Sequence, residues 1–295
     1  FAAYNVEVKP ALSGDWLGRR VWTTQAPTSG PVLLLMLRIL KRFPHFAWRS
    51  MDRDVLSAHH FIEAEKFSFG ARTNIGDPAF LNETALAKVD LIANSDKEAH
   101  RLWKKIDDDR THKLNYYEPL FDIKEDHGTM HLTIADRNGM AMALTSTVNL
   151  PFGSQVMDPV TGIILNDEMD DSSTPGVANA FGLRPSPYNY PEPYKRPLSS
   201  ISPAIIEHPD GSFLLALGGS GGSRIYGSVL QTMLNLDWGY DLSDAIEHPR
   251  LHHQLLPQEL SVETGYPQKI LDGLSAKGHK YKWLDVNSAA AEVQA

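Results

Sequence analysis

The stretch "EDHGTMHLTIADRNGMAMALTSTVN", from Glu125 to Asn149, sets two alternating runs on either side of a short Arg-Asn-Gly turn. Alternation with a period of two is the pattern of a β-strand, so the stretch reads as a hairpin. On the outgoing run Met130, Leu132 and Ile134 alternate with Thr129, His131 and Thr133. On the return Met140, Met142, Leu144, Ser146 and Val148 alternate with Ala141, Ala143, Thr145, Thr147 and Asn149. Two registers are open. A two-residue Asn-Gly loop pairs Thr129 with Val148, whereas a three-residue loop with Gly139 left-handed pairs it with Thr147. A one-residue slip moves every side chain to the other face, so the choice decides what surrounds Thr129.

A strand entered through Gly128-Thr129 suits catalysis by an N-terminal threonine. A threonine hydroxyl is a poor nucleophile until a base takes its proton, and scission just before the residue creates such a base, its own α-amino group. That amine has a reference pKa of roughly 7.7–8, close to working pH. The chemistry needs a small preceding residue, a rigid strand, and hydroxyls and an amide nearby. Gly128, Thr129 and the run from Thr145 to Asn149 supply them. Threonine is also enriched in strands for packing alone, and that explanation accounts for the pattern taken by itself.

The bulk properties narrow the field. At 295 residues and 42% hydrophobic, the chain can bury one large core or two smaller ones. A formal charge of −8 lacks the basic footprint of a nucleic-acid binder, so no nucleic-acid partner is expected. With no cysteine there is no disulfide, thiolate metal site or cysteine nucleophile. The chain opens at Phe1 without a signal-peptide pattern and closes in "NSAAAEVQA", which reads as a fragment or a processed form. "PVLLLMLRIL" (31–40) is about half the length that spans a bilayer and carries Arg38, so it reads as a buried helix. Asn82-Glu83-Thr84 is a sequon, which makes Asn82 a glycosylation site if the protein is secreted.

Residues 28–42 and 54–72 are expected to be helical, the second capped by Asp54. His59 and Glu63 are i,i+4 on it; a metal could use that spacing, but a surface pair explains it more simply, and no metal site is assigned. A further helical region covers 86–110, with a charged, solvated face. Residues 172–197 hold six prolines and form a long ordered loop or crossover. Pro209-Asp210-Gly211 turns into the strand "SFLLALGG", and "GGSGGSR" (218–224) opens a helix from about Ile225 to Leu234.

That glycine turn admits two readings. "GGSGG" satisfies G-x-S-x-G, with Ser220 as a nucleophile and Asp237, Asp241 or Asp244, then His248, His252 or His253, following in hydrolase order. No earlier oxyanion loop accompanies it. The other reading is anion binding by backbone N–H groups at a helix N-terminus; without a following Gly-Lys-Ser/Thr this points to an oxyanion rather than a nucleotide.

Three runs in order decide between these chemistries: "GTMHLTIADRNGMAMALTSTVNLPFGSQVMDPVTGIILNDEMDDSSTPG", "RPLSSISPAII" and "LALGGSGGSRI". Together with "PTSGPVLLLMLRIL" and "FIEAEKFSFGARTNIGDPAF" they resemble the γ-glutamyltranspeptidase (glutathione hydrolase) family over most of the chain, with "NDEMDD" and "TSTVN" closer to its eukaryotic members. The resemblance implies an α+β fold, the four-layer αββα sandwich of N-terminal-nucleophile hydrolases with stacked antiparallel sheets, incomplete at the N-terminus. It implies self-cleavage between Gly128 and Thr129. Residues 1–128 would be the C-terminal part of a large-subunit region, mostly helical, and residues 129–295 the small-subunit region, the two intertwined as a large/small subunit heterodimer.

The resemblance also assigns roles. Thr129 is the nucleophile and Thr147 its hydrogen-bond partner. Asn149, Glu168 and Asp171 bind the substrate's α-amino group and neighbouring polar atoms, Ser199 and Ser200 bind its α-carboxylate, and the Gly221 and Gly222 N–H groups hold the oxyanion. The substrates are glutathione and other γ-glutamyl compounds, with water, amino acids or dipeptides as acceptors and no cofactor. The location implied is extracellular, cell-surface or vacuolar. The family's carboxylate-binding arginine is not assigned to Arg19 or Arg20. A degenerate homologue that only binds γ-glutamyl compounds or a partner is the alternative. Read without the resemblance, "EMDD" is a surface acidic loop or a weak calcium site, and Ser199-Ser200 caps a turn.

Overall fold

The computed structural model describes residues 4–122, 129–176, 178–180, 182–285 and 291–295. The apolar run after Ser29 forms helix α1 (Gly30–Leu40), every residue of which is buried. A helix apolar on all sides belongs in the middle of its domain. Around it pack α2 (Val55–Arg72), α3 (Glu83–Asn94), α4 (Asp96–Trp103) and the later α5 (Ile225–Asp237). Asp54 caps α2 as expected, its carboxylate accepting from Ser57 N at 2.9 Å.

Two expectations in this half need correction. The single helical region over 86–110 is two helices beginning at Glu83 and ending at Trp103. Ser95 ends one and caps the next, its hydroxyl accepting from Glu98 N at 3.1 Å. His59 and Glu63 do not form a surface pair; both are fully buried. α2 is covered on nearly every side, by α1, α7 (Gln268–Ala276) and the segment before residue 122, so its polar residues are inside the protein.

On this helical layer lies an antiparallel five-stranded sheet. Its order is β1 (Leu12–Trp16), β2 (Arg19–Thr23), β5 (Ala204–Glu207), β6 (Phe213–Ser220) and β10 (Glu292–Gln294). Neighbouring residues of a strand point to opposite faces. Leu217 joins the helical core, whereas the next residue, Gly218, faces a second sheet: an added Cβ there would meet the His131 ring at 2.2 Å.

That second sheet is the hairpin of β3 (Met130–Ala135) and β4 (Ala141–Ser146). It pairs Met130 with Ser146 and Ala135 with Ala141. Asp136 N donates to Met140 O at 2.9 Å and Gly139 has a φ of +83°, so the loop is the three-residue one. His131 on the inner face is 8% exposed, whereas Met130 on the outer face is 64% exposed. Leu132, Ile134, Met142 and Leu144 share that outer, uncovered face. Among the described residues the layers are therefore helical, sheet and hairpin. A small third sheet, β7 (Leu251–His252), β8 (Leu260–Glu263) and β9 (Tyr281–Leu284), flanks α7, and its β8–β9 pair is parallel.

Candidate active site

Continued by one residue, the hairpin register sets Thr129 opposite Thr147. Thr129 is half-buried, and its φ of +129° is a conformation that a β-branched residue adopts only under constraint. Gly128, the other half of the expected scission pair, lies outside the described residues. Two positions into β3, His131 Nδ1 and Thr145 Oγ1 are hydrogen-bonded at 2.7 Å, and burial pushes the imidazole below its ordinary pKa, favouring the neutral ring.

The return strand ends in a side-chain turn: Thr147 Oγ1 accepts from Asn149 N at 2.8 Å. Asn149 has a φ of +71°, is 2% exposed, and among the described residues has no hydrogen-bond partner on either Oδ1 or Nδ2. Native interiors rarely leave a buried amide so. Each unmade buried bond costs ~1–3 kcal/mol, so the arrangement suits a polar ligand that completes it. The chain around Asn149 is tied to the acidic run, with Leu150 N donating to Asp167 Oδ1 at 3.1 Å and Asp167 N to Val148 O at 3.2 Å. Glu168–Asp171 follows as a 3₁₀ turn, with Asp171 buried and Glu168 half-buried. Carboxylates beside an open amide suit an ammonium group.

Ser199 and Ser200 are held from below. Ser199 N donates to Pro27 O at 3.0 Å, and Ser29 Oγ to Ser199 O at 2.9 Å. Arg72, the last residue of α2, is buried there; its Nε donates to Ser29 Oγ at 3.1 Å and its Nη2 to Ser200 Oγ at 2.8 Å. Sequence reasoning missed Arg72. Its signal is the arginine at the end of a predicted helix, within "FGARTNIGDP". Arg19 pairs instead with Asp237, and Arg20 lies over the Trp22 ring, with its Cζ 5.4 Å from the centroid.

Gly221 (φ +118°) and Gly222 (φ +59°) continue β6 into the 3₁₀ turn that opens α5. At Gly221 an added Cβ would come within 2.7 Å of Ala291 Cα, so both conformation and space require glycine. Ser223 Oγ anchors the turn by donating to buried Gln254 Oε1 at 2.7 Å.

The partners of the serine-hydrolase candidates lie elsewhere. Asp237 accepts from Trp16 Nε1 at 2.6 Å, and Asp241 caps α6 (Leu242–Glu247) through Asp244 N at 2.8 Å. His248 faces Asp52 at 3.7 Å, His252 faces Glu65 at 3.3 Å, and His253 Nδ1 accepts from Leu255 N at 3.1 Å. Ser220 itself pairs with Glu292 across β6–β10. Among the described residues no hydrogen bond joins these groups into a triad.

His59, Glu63 and His279 bring ligand atoms within 4.8 Å of one another. Hydrogen bonds occupy these groups except at His279 Nδ1, which has no partner among the described residues. His59 Nε2 faces the Asp107 carbonyl at 2.7 Å and must donate, so His279 Nε2, 2.8 Å from His59 Nδ1, donates to it. Both Glu63 oxygens accept, from Tyr117, Thr111 and Lys66. Asn82 is exposed, and its Oδ1 caps α3 by accepting from Ala85 N at 2.9 Å.

A family model described as Gamma-glutamyltranspeptidase matches residues 1–295. Glutathione hydrolase proenzyme 2 of Schizosaccharomyces pombe is 40% identical over 95% of this chain and 46% of its own length. Glutathione hydrolase proenzyme of Escherichia coli is 37% identical over 95% of this chain and 48% of its own length. The chain thus spans about half the length of the curated relatives it matches. Among solved structures, the Helicobacter pylori γ-glutamyltranspeptidase T380A mutant is 38% identical with a TM-score of 0.50, covering 55% of this chain and 87% of its own. Cephalosporin acylase of Bacillus halodurans covers 99% of this chain and 50% of its own with a TM-score of 0.75; at 22% identity it speaks for the fold alone.

Proposed function

The chain belongs to the γ-glutamyltranspeptidase family, and we propose that it is part of an enzyme that hydrolyses glutathione and related γ-glutamyl amides and transfers the γ-glutamyl group to amino acids or dipeptides. The observation that carries this reading is Asn149, a buried amide with both polar atoms open, in a run continuous with the Thr129 hairpin and tied to the acidic turn.

Scission between Gly128 and Thr129 frees the threonine's α-amino group. That amine takes the Oγ proton, and Oγ attacks the γ-glutamyl carbonyl. The N–H groups of Gly221 and Gly222 stabilise the oxyanion; a single donor of this kind is worth ~3–4 kcal/mol. As the intermediate collapses, the C–N bond breaks, the leaving amine receives the proton, and a γ-glutamyl ester remains on Thr129 Oγ. Water or an acceptor amine, deprotonated by the same α-amino group, attacks the ester and restores the hydroxyl. Asn149, Glu168 and Asp171 hold the α-ammonium, Ser199 and Ser200 the α-carboxylate, and Thr147 orients Thr129.

Residues 1–128 then belong to the larger piece and 129–295 to the smaller one of a heterodimer. We place the protein outside the cell, at its surface or in a vacuole, where Asn82 is free to carry a glycan without giving up its cap through Oδ1. No helix among the described residues is long and apolar enough to cross a membrane.

The test is intact mass and turnover of a γ-glutamyl anilide by the complete protein. Two fragments meeting at 128/129 together with anilide release are expected. An uncut protein that releases none overturns the reading, and binding without release points to the degenerate homologue.

A further inference from the structure

The segments assigned to the substrate's ammonium and carboxylate, Glu168–Asp171 and Ser199–Ser200, share no strand or helix, and the proline-rich run separates them. One side chain from that run bonds to the first and to the residue just before the second. Asn189 ends the 3₁₀ turn Pro187–Asn189 and is 4% exposed. Its Nδ2 donates to Asp171 O at 2.8 Å, and its Oδ1 accepts from Leu198 N, the residue before Ser199, at 2.9 Å. Its backbone is held as well, the carbonyl accepting from Ser173 N at 2.9 Å and the N–H donating to Ser186 O at 3.1 Å. The loop is seated firmly: an added Cβ at Gly76 would lie 2.6 Å from Tyr188 O, and buried Asp77 accepts from Arg196 N at 2.9 Å.

A primary amide presents a donor and an acceptor rigidly in one plane, which this bridge requires. In an α-amino acid the ammonium and carboxylate stand on one carbon, so two segments can grip both at once only at a fixed separation. We propose that Asn189 is a positioning residue that sets this separation and thereby the selectivity for a donor with an intact α-amino acid end. The inference rests on the function proposed above. With the bridge removed, each segment still meets its own group but no longer presents the second at high effective concentration. Binding of the γ-glutamyl donor weakens, while the chemistry at Thr129 and the glycine turn is preserved.

The complete protein would be prepared as parent, Asn189→Ala and Asn189→Asp, with self-cleavage and thermal melting reporting folding. Kinetics follow with γ-glutamyl anilide and with glutaryl anilide, which lacks the α-amino group. Both variants should be cut, and both should melt a few degrees below the parent, because each leaves a buried partner of Asn189 unsatisfied. The Asn189→Ala KM for γ-glutamyl anilide should rise about ten-fold with kcat within about two-fold, and the preference over glutaryl anilide should fall by the same ten-fold factor. In Asn189→Asp a carboxylate faces the Asp171 carbonyl with no donor, whereas a carboxylic acid can donate to it. The KM ratio to parent should therefore shrink as pH falls, which Asn189→Ala does not show. Parental KM and preference in Asn189→Ala overturn the proposal alone, and so does a loss confined to kcat. Failure of both variants to accumulate as cut protein makes Asn189 a folding residue and also overturns it. A parent that releases no anilide overturns the functional reading and, with it, this one.

Discussion

Glu63 and Asn149 are both buried polar residues, and they are treated in opposite ways. Both Glu63 oxygens are occupied, by the Tyr117 hydroxyl at 2.6 Å, the Thr111 hydroxyl at 2.6 Å and the Lys66 ammonium at 3.3 Å. The Lys66 ammonium also stacks 4.0 Å from the Tyr117 ring centroid. Burial drives the lysine pKa down and Glu63 holds it up, while the Tyr117 hydroxyl is pushed well above its ordinary range, first by burial and then by the same carboxylate. Asn149 has the same burial and none of these partners. A closed network makes a fold; under the proposed function the open amide takes a ligand. Neighbouring polarity that holds no ligand should thus cost stability when removed, and polarity that holds one should cost affinity.

The largest departure is expected at the proposed nucleophile. Thr129→Ala should abolish self-cleavage and lower turnover by about 10³-fold or more, read by intact mass and anilide release; a cut, active variant removes Thr129 from the mechanism. Next, Glu63→Ala strands a buried lysine and should cost about 3–5 kcal/mol, a Tm lower by roughly 10 °C, and parental melting would erase the contrast with Asn149. Asn149→Gly, which keeps the positive φ, should move stability by no more than ~1 kcal/mol while raising the KM for γ-glutamyl anilide about ten-fold. A large fall in Tm with an unchanged KM would place Asn149 among the structural residues.

Acid should bring a gradual loss of stability. Burial holds His60 at about 4, against the opposing pull of Asp108, and His279 at about 2. Both lie below the ordinary histidine value near 6.5, so the unfolded chain takes up protons first and the folded state loses stability as pH falls. The loss starts below about 6.5 and runs through 4 for His60, then towards 2 for His279. Denaturant midpoints that stay flat between pH 6.5 and 4 would contradict it.

Local signals in the sequence located most elements. Asp54 marked the start of α2, the apolar run marked α1, and Pro209-Asp210-Gly211 marked the turn between β5 and β6. The sequence leaves the hairpin register open because Asn-Gly and Arg-Asn-Gly both make legitimate loops; the bond from Asp136 N to Met140 O closes the longer one. What could not be read depends on contacts distant in sequence. Helical spacing says which residues share a face of α2, not how many faces are covered, so it cannot place His59 and Glu63 inside. Arg72 meets Ser200 across 128 positions of chain, and Asn189 meets Asp171 from inside a loop whose prolines announce order but not contacts.

The five-stranded sheet would give scission at 128/129 an unusual outcome. β2, which precedes residue 128, is zipped along its length to β5, which follows it, from Arg20 opposite Glu207 to Thr23 opposite Ala204. α1 and α5, likewise from opposite sides of the cut, pack against each other. Fragments parted at 128/129 would share a sheet and an interior rather than meet at a surface. Dilution would not separate them, and their dissociation would be indistinguishable from denaturation.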